Sequence, residues 1–98
     1  MNKYTKLSDF EINKKVAEKL LIPHYVIKDK VLNADNDSVY DPCNNPADAM
    51  PIIIDNGISM VRVNNTWSAR QFNNHCIEVN GDNYYRIAME VYLLMNGK

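Results

Sequence analysis

Residues 40–54 read YDPCNNPADAMPIII and place a loop, a helix start and an apolar run in one short stretch. Asn45 suits an N-cap, because its side-chain oxygen can accept a hydrogen bond from a free amide of the first helical turn. Pro46 follows at the first helical position, and Asp48 is spaced to bond back to the cap residue. The stretch predicts a helix over residues 46–56. A kink or a break is expected at Pro51, which cannot donate to the carbonyl four residues earlier.

A second helix is predicted on the N-terminal side of this stretch. Ser8 and Glu11 have the spacing of a capping box, in which the hydroxyl and the carboxylate each accept from the other residue's amide. Apolar residues then recur at helical spacing over residues 12–20. Pro23 disfavours helical geometry at the residue before it, so the helix is expected to end near Leu21.

Strands and turns account for most of the remaining chain. The loop over residues 33–45 is rich in Asn, Asp and Pro, which are typical of ordered turns. Asn64 and Asn65 predict a two-residue hairpin turn, because Asn tolerates positive φ. Asn80-Gly81 is interpreted as a further turn. The predicted strands are residues 25–32, as one strand or two edge pieces with a turn, and residues 58–63, 66–72 and 75–79.

A final helix and the fold class follow from the last segment. Asp82 or Asn83 suits the cap of a helix whose apolar residues share one face: Tyr84, Ile87, Ala88, Val91, Leu94 and Met95. The whole pattern predicts an α+β fold in a single domain over residues 1–98. A small, mostly antiparallel sheet of three to four strands is expected to pack with about three helices.

The composition of the chain excludes several classes of function. The 98 residues are 46% hydrophobic and 23% charged, as in ordinary globular proteins. The net charge is -1, although residues 1–30 sum to +3 and residues 31–57 to -5. This balance argues against a nucleic-acid partner. No apolar run approaches the roughly 20 residues of a membrane span, and no apolar secretory segment begins the chain, so a cytoplasmic protein with reduced cysteines is expected.

Motifs for catalysis or metal binding are weak, so we expect no enzyme, metal or cofactor. The possible soft-metal ligands do not form the close pairs of structural zinc sites: His24, Cys43, His75 and Cys76. The acids Asp35, Asp37 and Asp41 lack the glycine and the distal Glu of a calcium loop. The sequence contains no glycine-rich phosphate loop, no signature around either cysteine, and no matched pair of carboxylates for acid–base work.

Two groups of residues are candidates for binding. An aromatic and basic platform on one side of the sheet is one interpretation of Arg62, Trp67, Arg70, Tyr84, Tyr85 and Arg86. The favoured alternative is that Trp67 belongs to the core, because a single Trp in a small domain usually supplies buried area. The predicted binding residues are Asn44, Asn45, Asp48, Trp67 and Arg70.

Several landmarks in this order resemble the small phage proteins called NinX. They are residues 7–14, 16–20 and 40–54, the Trp67-Ser68-Ala69 triplet, and residues 85–92. The family often has a Pro near the start of the last helix and an Ala pair before Met, whereas this chain has Tyr84-Tyr85 and Ile87-Ala88. The resemblance implies a phage or prophage gene expressed in a bacterial host. It also implies an α/β/α-type sandwich with helices on both faces of the sheet, and it transfers no catalytic residue, because the family has no agreed activity.

The predicted function is that of a non-enzymatic accessory protein in the host cytoplasm, which binds a host or phage macromolecule. The alternative is a protein that sequesters a nucleotide-like small molecule, with the Asn-Asp loop and the strand of Trp67 and Arg70 as the pocket wall. A second alternative is an accessory role beside recombination or replication proteins. An exposed apolar patch would favour the first function and a concave polar pocket the second. A homo-oligomer is left open.

Overall fold

The first helix begins where the capping box predicts. In the computed structural model, which describes residues 2–71 and 76–96, helix α1 (Asp9–Lys19) follows the cap Ser8. The Ser8 hydroxyl accepts from the Glu11 amide at 3.1 Å, and the Glu11 carboxylate accepts from the Ser8 amide at 2.9 Å. The helix ends at Lys19, two residues before the predicted end at Leu21. Leu21 has a φ of 59°, and the following amide of Ile22 donates to the Ala17 carbonyl at 3.0 Å, which closes a Schellman motif.

The next segment forms two strands rather than one. Strands β1 (His24–Ile27) and β2 (Lys30–Asn33) pair antiparallel as the N-terminal hairpin, and Lys28 turns the chain with a φ of 56°. Leu32 also forms an isolated bridge with Val39 after a tight turn. The expected edge pieces with a turn are therefore confirmed.

The second helix is continuous through its internal proline. Helix α2 (Pro46–Asp55) is capped by the Asn45 side chain, which accepts from the Ala47 amide at 3.0 Å. The predicted break at Pro51 is wrong, because one helix spans residues 46–55 with the exposed Pro51 inside it. Pro51 has no amide hydrogen to donate to the Ala47 carbonyl. Gly57, with a φ of 62°, follows the end of the helix.

A three-stranded sheet follows α2. Strands β3 (Ser59–Val63), β4 (Thr66–Gln71) and β5 (Ile77–Gly81) form an antiparallel meander in that order. The hairpin turn at Asn64-Asn65 is confirmed, with a φ of 52° at Asn64. Asn80-Gly81 belongs to β5 instead of the predicted turn, because Gly81 pairs with Trp67 and an added Cβ would lie 2.8 Å from Ile87. Phe72, His75 and the predicted turn at Asn73-Asn74 lie outside the described residues.

The last helix, α3 (Tyr84–Asn96), lies at the centre of the molecule. The side-chain oxygen of Asn83 accepts from the amides of Tyr85 and Arg86 at 3.1 and 3.0 Å, so Asn83 is the cap. The helix packs on β4 and β5, and both α1 and α2 pack against it. This position buries seven consecutive residues, 87–93, where the sequence predicts a single apolar face.

The α+β class is confirmed, with three helices and antiparallel strands. In the described residues, the expected antiparallel sheet is the three-stranded one, and the N-terminal hairpin forms a separate sheet of two strands. The N-terminal hairpin packs beside α1, and the three-stranded sheet packs on α3.

Candidate functional site

A polar cluster surrounds the Arg86 guanidinium on α3. Its Nη1 lies 2.7 Å from Asp9 Oδ1 and its Nε 2.7 Å from Glu90 Oε2, and only 13% of the Arg86 side chain is exposed. Its Nη2 also donates to the carbonyls of Tyr4 at 3.0 Å and Leu7 at 2.8 Å. One side chain thus joins the segment before α1, the first turn of α1 and the first half of α3.

The surroundings of Asp9 and Arg86 shift the pKa values of these two side chains. Burial alone would raise the pKa of Asp9, but hydrogen bonds from Arg86 and Asn44 stabilise its carboxylate and leave that pKa lowered. Burial likewise opposes the charge of Arg86, and the bonds to Asp9 and Glu90 outweigh it, so the pKa of Arg86 is raised. Both residues are therefore charged in the folded protein and stabilise each other.

The predicted binding residue Asn44 lies beside this cluster. Its side-chain nitrogen is 3.1 Å from Asp9 Oδ2 and 3.2 Å from Asp41 Oδ1, and its side-chain oxygen accepts from Asn83 Nδ2 at 3.2 Å. Asn13 donates to the Asp41 carboxylate at 2.8 Å. Asn44 consequently holds the loop against the starts of α1 and α3.

The side chains of Asn45 and Asp48 form hydrogen bonds within the molecule at the start of α2. Asn45 caps the helix, as predicted. Asp48 does not bond back to the cap; its Oδ2 accepts from the backbone amide of Asp41 at 2.9 Å. The reason is that the amide of Asn45 already donates to the carbonyl of Asp41. Both side chains order the loop that precedes α2.

Trp67 and Arg70 do not share a surface. They are three residues apart in β4, so the pleat directs their side chains to opposite faces. Trp67 packs edge-to-face on Tyr84, with ring centroids 4.9 Å apart, and the Arg62 guanidinium lies 5.1 Å above the Trp67 ring. Arg70 instead lies 3.4 Å from the Glu78 carboxylate. The predicted pocket wall that combines the loop with Trp67 and Arg70 is therefore not assembled.

The candidate metal ligands and nucleophiles are in separate environments. Cys43 is buried, which raises the pKa of its thiol, and Cys76 is an exposed free thiol. His24 Nδ1 lies 2.7 Å from the Ile22 carbonyl, and Asp37 accepts from the Tyr25 hydroxyl. Across residues 2–71 and 76–96, no three or more His, Cys, Asp or Glu side chains converge as a metal site would require.

A cleft of about 400 Å³ opens between the start of α1, the N-terminal hairpin and the loop of residues 39–44. Buried Val31 and Tyr40 line it together with Phe10 and Val39, and Val39 is 50% exposed. Its polar lining residues include Asp9, Asp29, Lys30, Asn13, Asp41 and Asn44. The cleft combines apolar surface with polar groups that are largely bonded to one another.

The N-terminal hairpin adds exposed apolar surface next to the cleft. Tyr25, Val26 and Ile27 are consecutive in β1, and each leaves more than a third of its surface in solvent. Both faces of β1 are therefore partly exposed, since neighbouring strand residues point to opposite sides. Val39 and these three residues are absent from the sequence-predicted binding residues. The sequence does carry a signal for β1, namely apolar residues that do not alternate with polar ones.

Comparison with known proteins identifies one relationship. The family model described as "Bacteriophage P22, NinX" matches residues 3–96. Searches of curated proteins and of solved structures give no match. In the part of the chain that the structure describes, none of the helices has the length and apolar character needed to cross a bilayer.

Proposed function

The chain belongs to the Bacteriophage P22 NinX family, and from that premise we propose that it is a non-enzymatic phage accessory protein that binds a host or phage protein in the host cytoplasm. The cleft is the proposed binding site. The observation that carries the proposal is that the cleft offers apolar surface, while its main polar side chains are engaged within the molecule.

The polar lining of the cleft supports a structural role for its carboxylates. Asp9 accepts from Arg86 and Asn44, and Asp41 accepts from Asn13 and Asn44. A general acid at neutral pH needs a raised pKa, and the pKa of Asp9 is lowered. These bonds favour a binding surface over a catalytic one.

The exposed part of the cleft suits a protein side chain. Val39 is half exposed beside buried Val31 and Tyr40, so an apolar group of a partner would extend the core outward. Contiguous exposed apolar surface on a small protein is typical of protein contacts. Asp29 and Lys30, which are exposed residues of the cleft lining, provide charged groups for the rim of such a contact.

The volume of the cleft also favours the second candidate, a small-molecule binder, since ligand pockets span roughly 300–1,000 Å³. A nucleotide-like ligand is the less favoured version. The cleft carries three carboxylates, those of Asp9, Asp29 and Asp41, against Lys30 and the Arg86 that neutralises Asp9. A phosphate would meet net negative charge there. The accessory role in recombination or replication is a special case of the first candidate, in which the bound protein is a recombination or replication protein.

The test is a tagged pull-down from infected host cells with mass spectrometry, using the wild type and two variants. Val39→Lys places a charge in the cleft, and Ile54→Lys is the matched control, since Ile54 is 69% exposed on α2. We expect one partner at near-equal amount, captured about tenfold less by Val39→Lys and equally by Ile54→Lys. Circular dichroism would verify that both variants fold.

Two results would count against the proposal. Equal capture by Val39→Lys would exclude the cleft as the docking site. If no protein is enriched above an unrelated phage protein of similar size and charge, native mass spectrometry of the purified chain would test the second candidate. A retained small ligand that Val39→Lys releases would then establish it.

A further inference from the structure

Strand β1 is a free sheet edge in the described part of the chain, because it pairs with β2 alone. Val26 of β1 lies opposite Val31 of β2, and the Val31 carbonyl accepts from the Tyr40 amide at 2.8 Å, on the side away from β1. Val26 and Val31 therefore form a non-hydrogen-bonded pair. In antiparallel sheets this directs the N–H and C=O of Val26 to the open edge, where another strand can bond to them.

The hairpin carries opposite charges at its two ends. Lys28 and Lys30 flank Asp29 at the tip, whereas Asp35 and Asp37 lie in the turn beyond the base. The Ala34 amide donates to the Pro23 carbonyl at 2.8 Å, which keeps this acidic turn beside the start of β1. An antiparallel neighbour with the same charge pattern would set each basic tip near an acidic base.

We propose that β1 pairs antiparallel with β1 of a second copy of this chain, about a two-fold axis at Val26. Two hairpins would then form one four-stranded sheet, with Tyr25 opposite Ile27 of the partner subunit on each side of the axis. This goes beyond the proposed function, because the cleft is lined by β2 and residues 39–44 and by no residue of β1. The dimer therefore leaves both clefts open.

The second copy is favoured over another protein by self-complementarity. A two-fold axis requires one surface to match itself. The uninterrupted apolar run of Tyr25, Val26 and Ile27 matches an identical run, and the charge pattern repels a parallel neighbour while it attracts an antiparallel one. Natural sheet edges are usually protected by charges or prolines, and the middle of β1 has neither.

Sedimentation velocity of the full chain over a concentration series tests the proposal. The wild type is expected to form a dimer, Val26→Lys to weaken its dimerisation by about tenfold or more, and the control Ile54→Lys to leave it unchanged. Lys28→Glu and Asp35→Lys should each weaken self-association, because like charges then face each other. Mixing these two variants should restore it, since each basic end again faces an acidic one.

A wild type that stays monomeric up to about 1 mM would overturn the proposal, as would a dimer that Val26→Lys leaves intact. Neither result affects the cleft, which the Val39→Lys pull-down tests separately. Conversely, a pull-down that captures no partner does not bear on the dimer, which sedimentation tests separately.

Discussion

Arg86 connects three segments of the chain through one side chain. Its guanidinium contacts two carboxylates and the backbone carbonyls of the segment before α1, as the five donors of an Arg allow. Glu90 is buried and receives a further hydrogen bond from the Asn2 side chain. The predicted aromatic and basic platform is formed in part, by Arg62, Trp67, Tyr84 and Tyr85. Arg86 is not used for it, because the buried carboxylate of Glu90 needs a cationic partner within the fold.

Replacing Arg86 should test this role. Arg86→Met leaves the Glu90 carboxylate buried without its cation, so we expect the free energy of unfolding to fall by about 3–5 kcal/mol. Urea titration monitored by circular dichroism measures the change. Adding Glu90→Gln should recover about 1–2 kcal/mol, because it removes the unpaired charge. A double variant no more stable than Arg86→Met would show that the pairing with Glu90 is not the source of the loss.

Asp9 should contribute pH-dependent stability. Its pKa is lower in the folded protein than in the unfolded chain, so its contribution is present above the unfolded value, about 3.9, and is lost as pH falls through the lower folded value. Asp9→Asn is expected to cost about 1 kcal/mol at pH 7, since the side chain is 42% exposed. The gap between variant and wild type should narrow as the pH falls below the unfolded value in urea titrations. A gap that is constant with pH would contradict this, and Asp35→Asn serves as the control.

Helix α1 ends in a local turn with an unfavourable backbone conformation. The helix stops at Lys19, and the chain turns through Leu21 in the left-handed region, where a Cβ is unfavourable. Leu21 is also 86% exposed, so burial of its side chain offsets little of the cost of this conformation. Pro23 predicts that the helix ends here, but the residue that adopts positive φ depends on the Schellman bonds of residues 17–22.

Leu21→Gly should stabilise the protein. Glycine adopts this conformation without a Cβ penalty, and we expect a gain of about 0.5–1 kcal/mol after the larger entropy of the unfolded chain is counted. Leu20→Gly is the matched control, because Leu20 has a φ of -81° and should lose about 1 kcal/mol. Thermal unfolding of the three proteins compares them. Destabilisation by Leu21→Gly would mean that the leucine side chain packs more than its exposure indicates.

The arrangement of the whole molecule is set by α3, which lies between the three-stranded sheet and the other two helices. Cys43 is fully buried in the same core, and its amide donates to the Asn13 side chain. Burial raises the pKa of its thiol, so both access and thiolate formation are suppressed in the native state.

Cys43 should therefore report opening of the whole core. In a Cys76→Ser variant, we expect a disulfide-exchange reagent to label Cys43 only at the rate at which the domain opens, and the rate to rise with urea as global unfolding does. The wild type should show one additional fast thiol, the exposed Cys76. Labelling of Cys43 in native buffer at the rate of an unfolded control would contradict the described packing.

Much of the fold could be predicted, because its local signals are strong. The capping box at Ser8, the cap at Asn45 and the Asn64-Asn65 turn act through side chains that bond to their own backbone, so they depend little on distant residues. The candidate site was predicted less well. Asn44 does line the cleft. The apolar run of β1 is visible in the sequence, but its exposure and that of Val39 could not be predicted, since exposure depends on what the rest of the chain covers.

The sequence by itself determined the family, the α+β class and the positions of the helices and hairpins, because caps, turns and hydrophobic spacing act over a few residues. The tertiary structure alone decided that α3 is buried over residues 87–93 and that Arg86 pairs with Asp9 and Glu90. These features depend on contacts between residues far apart in the chain, such as Arg86 and Asp9, which are 77 positions apart. No local pattern specifies such contacts, because they form only when the elements pack together.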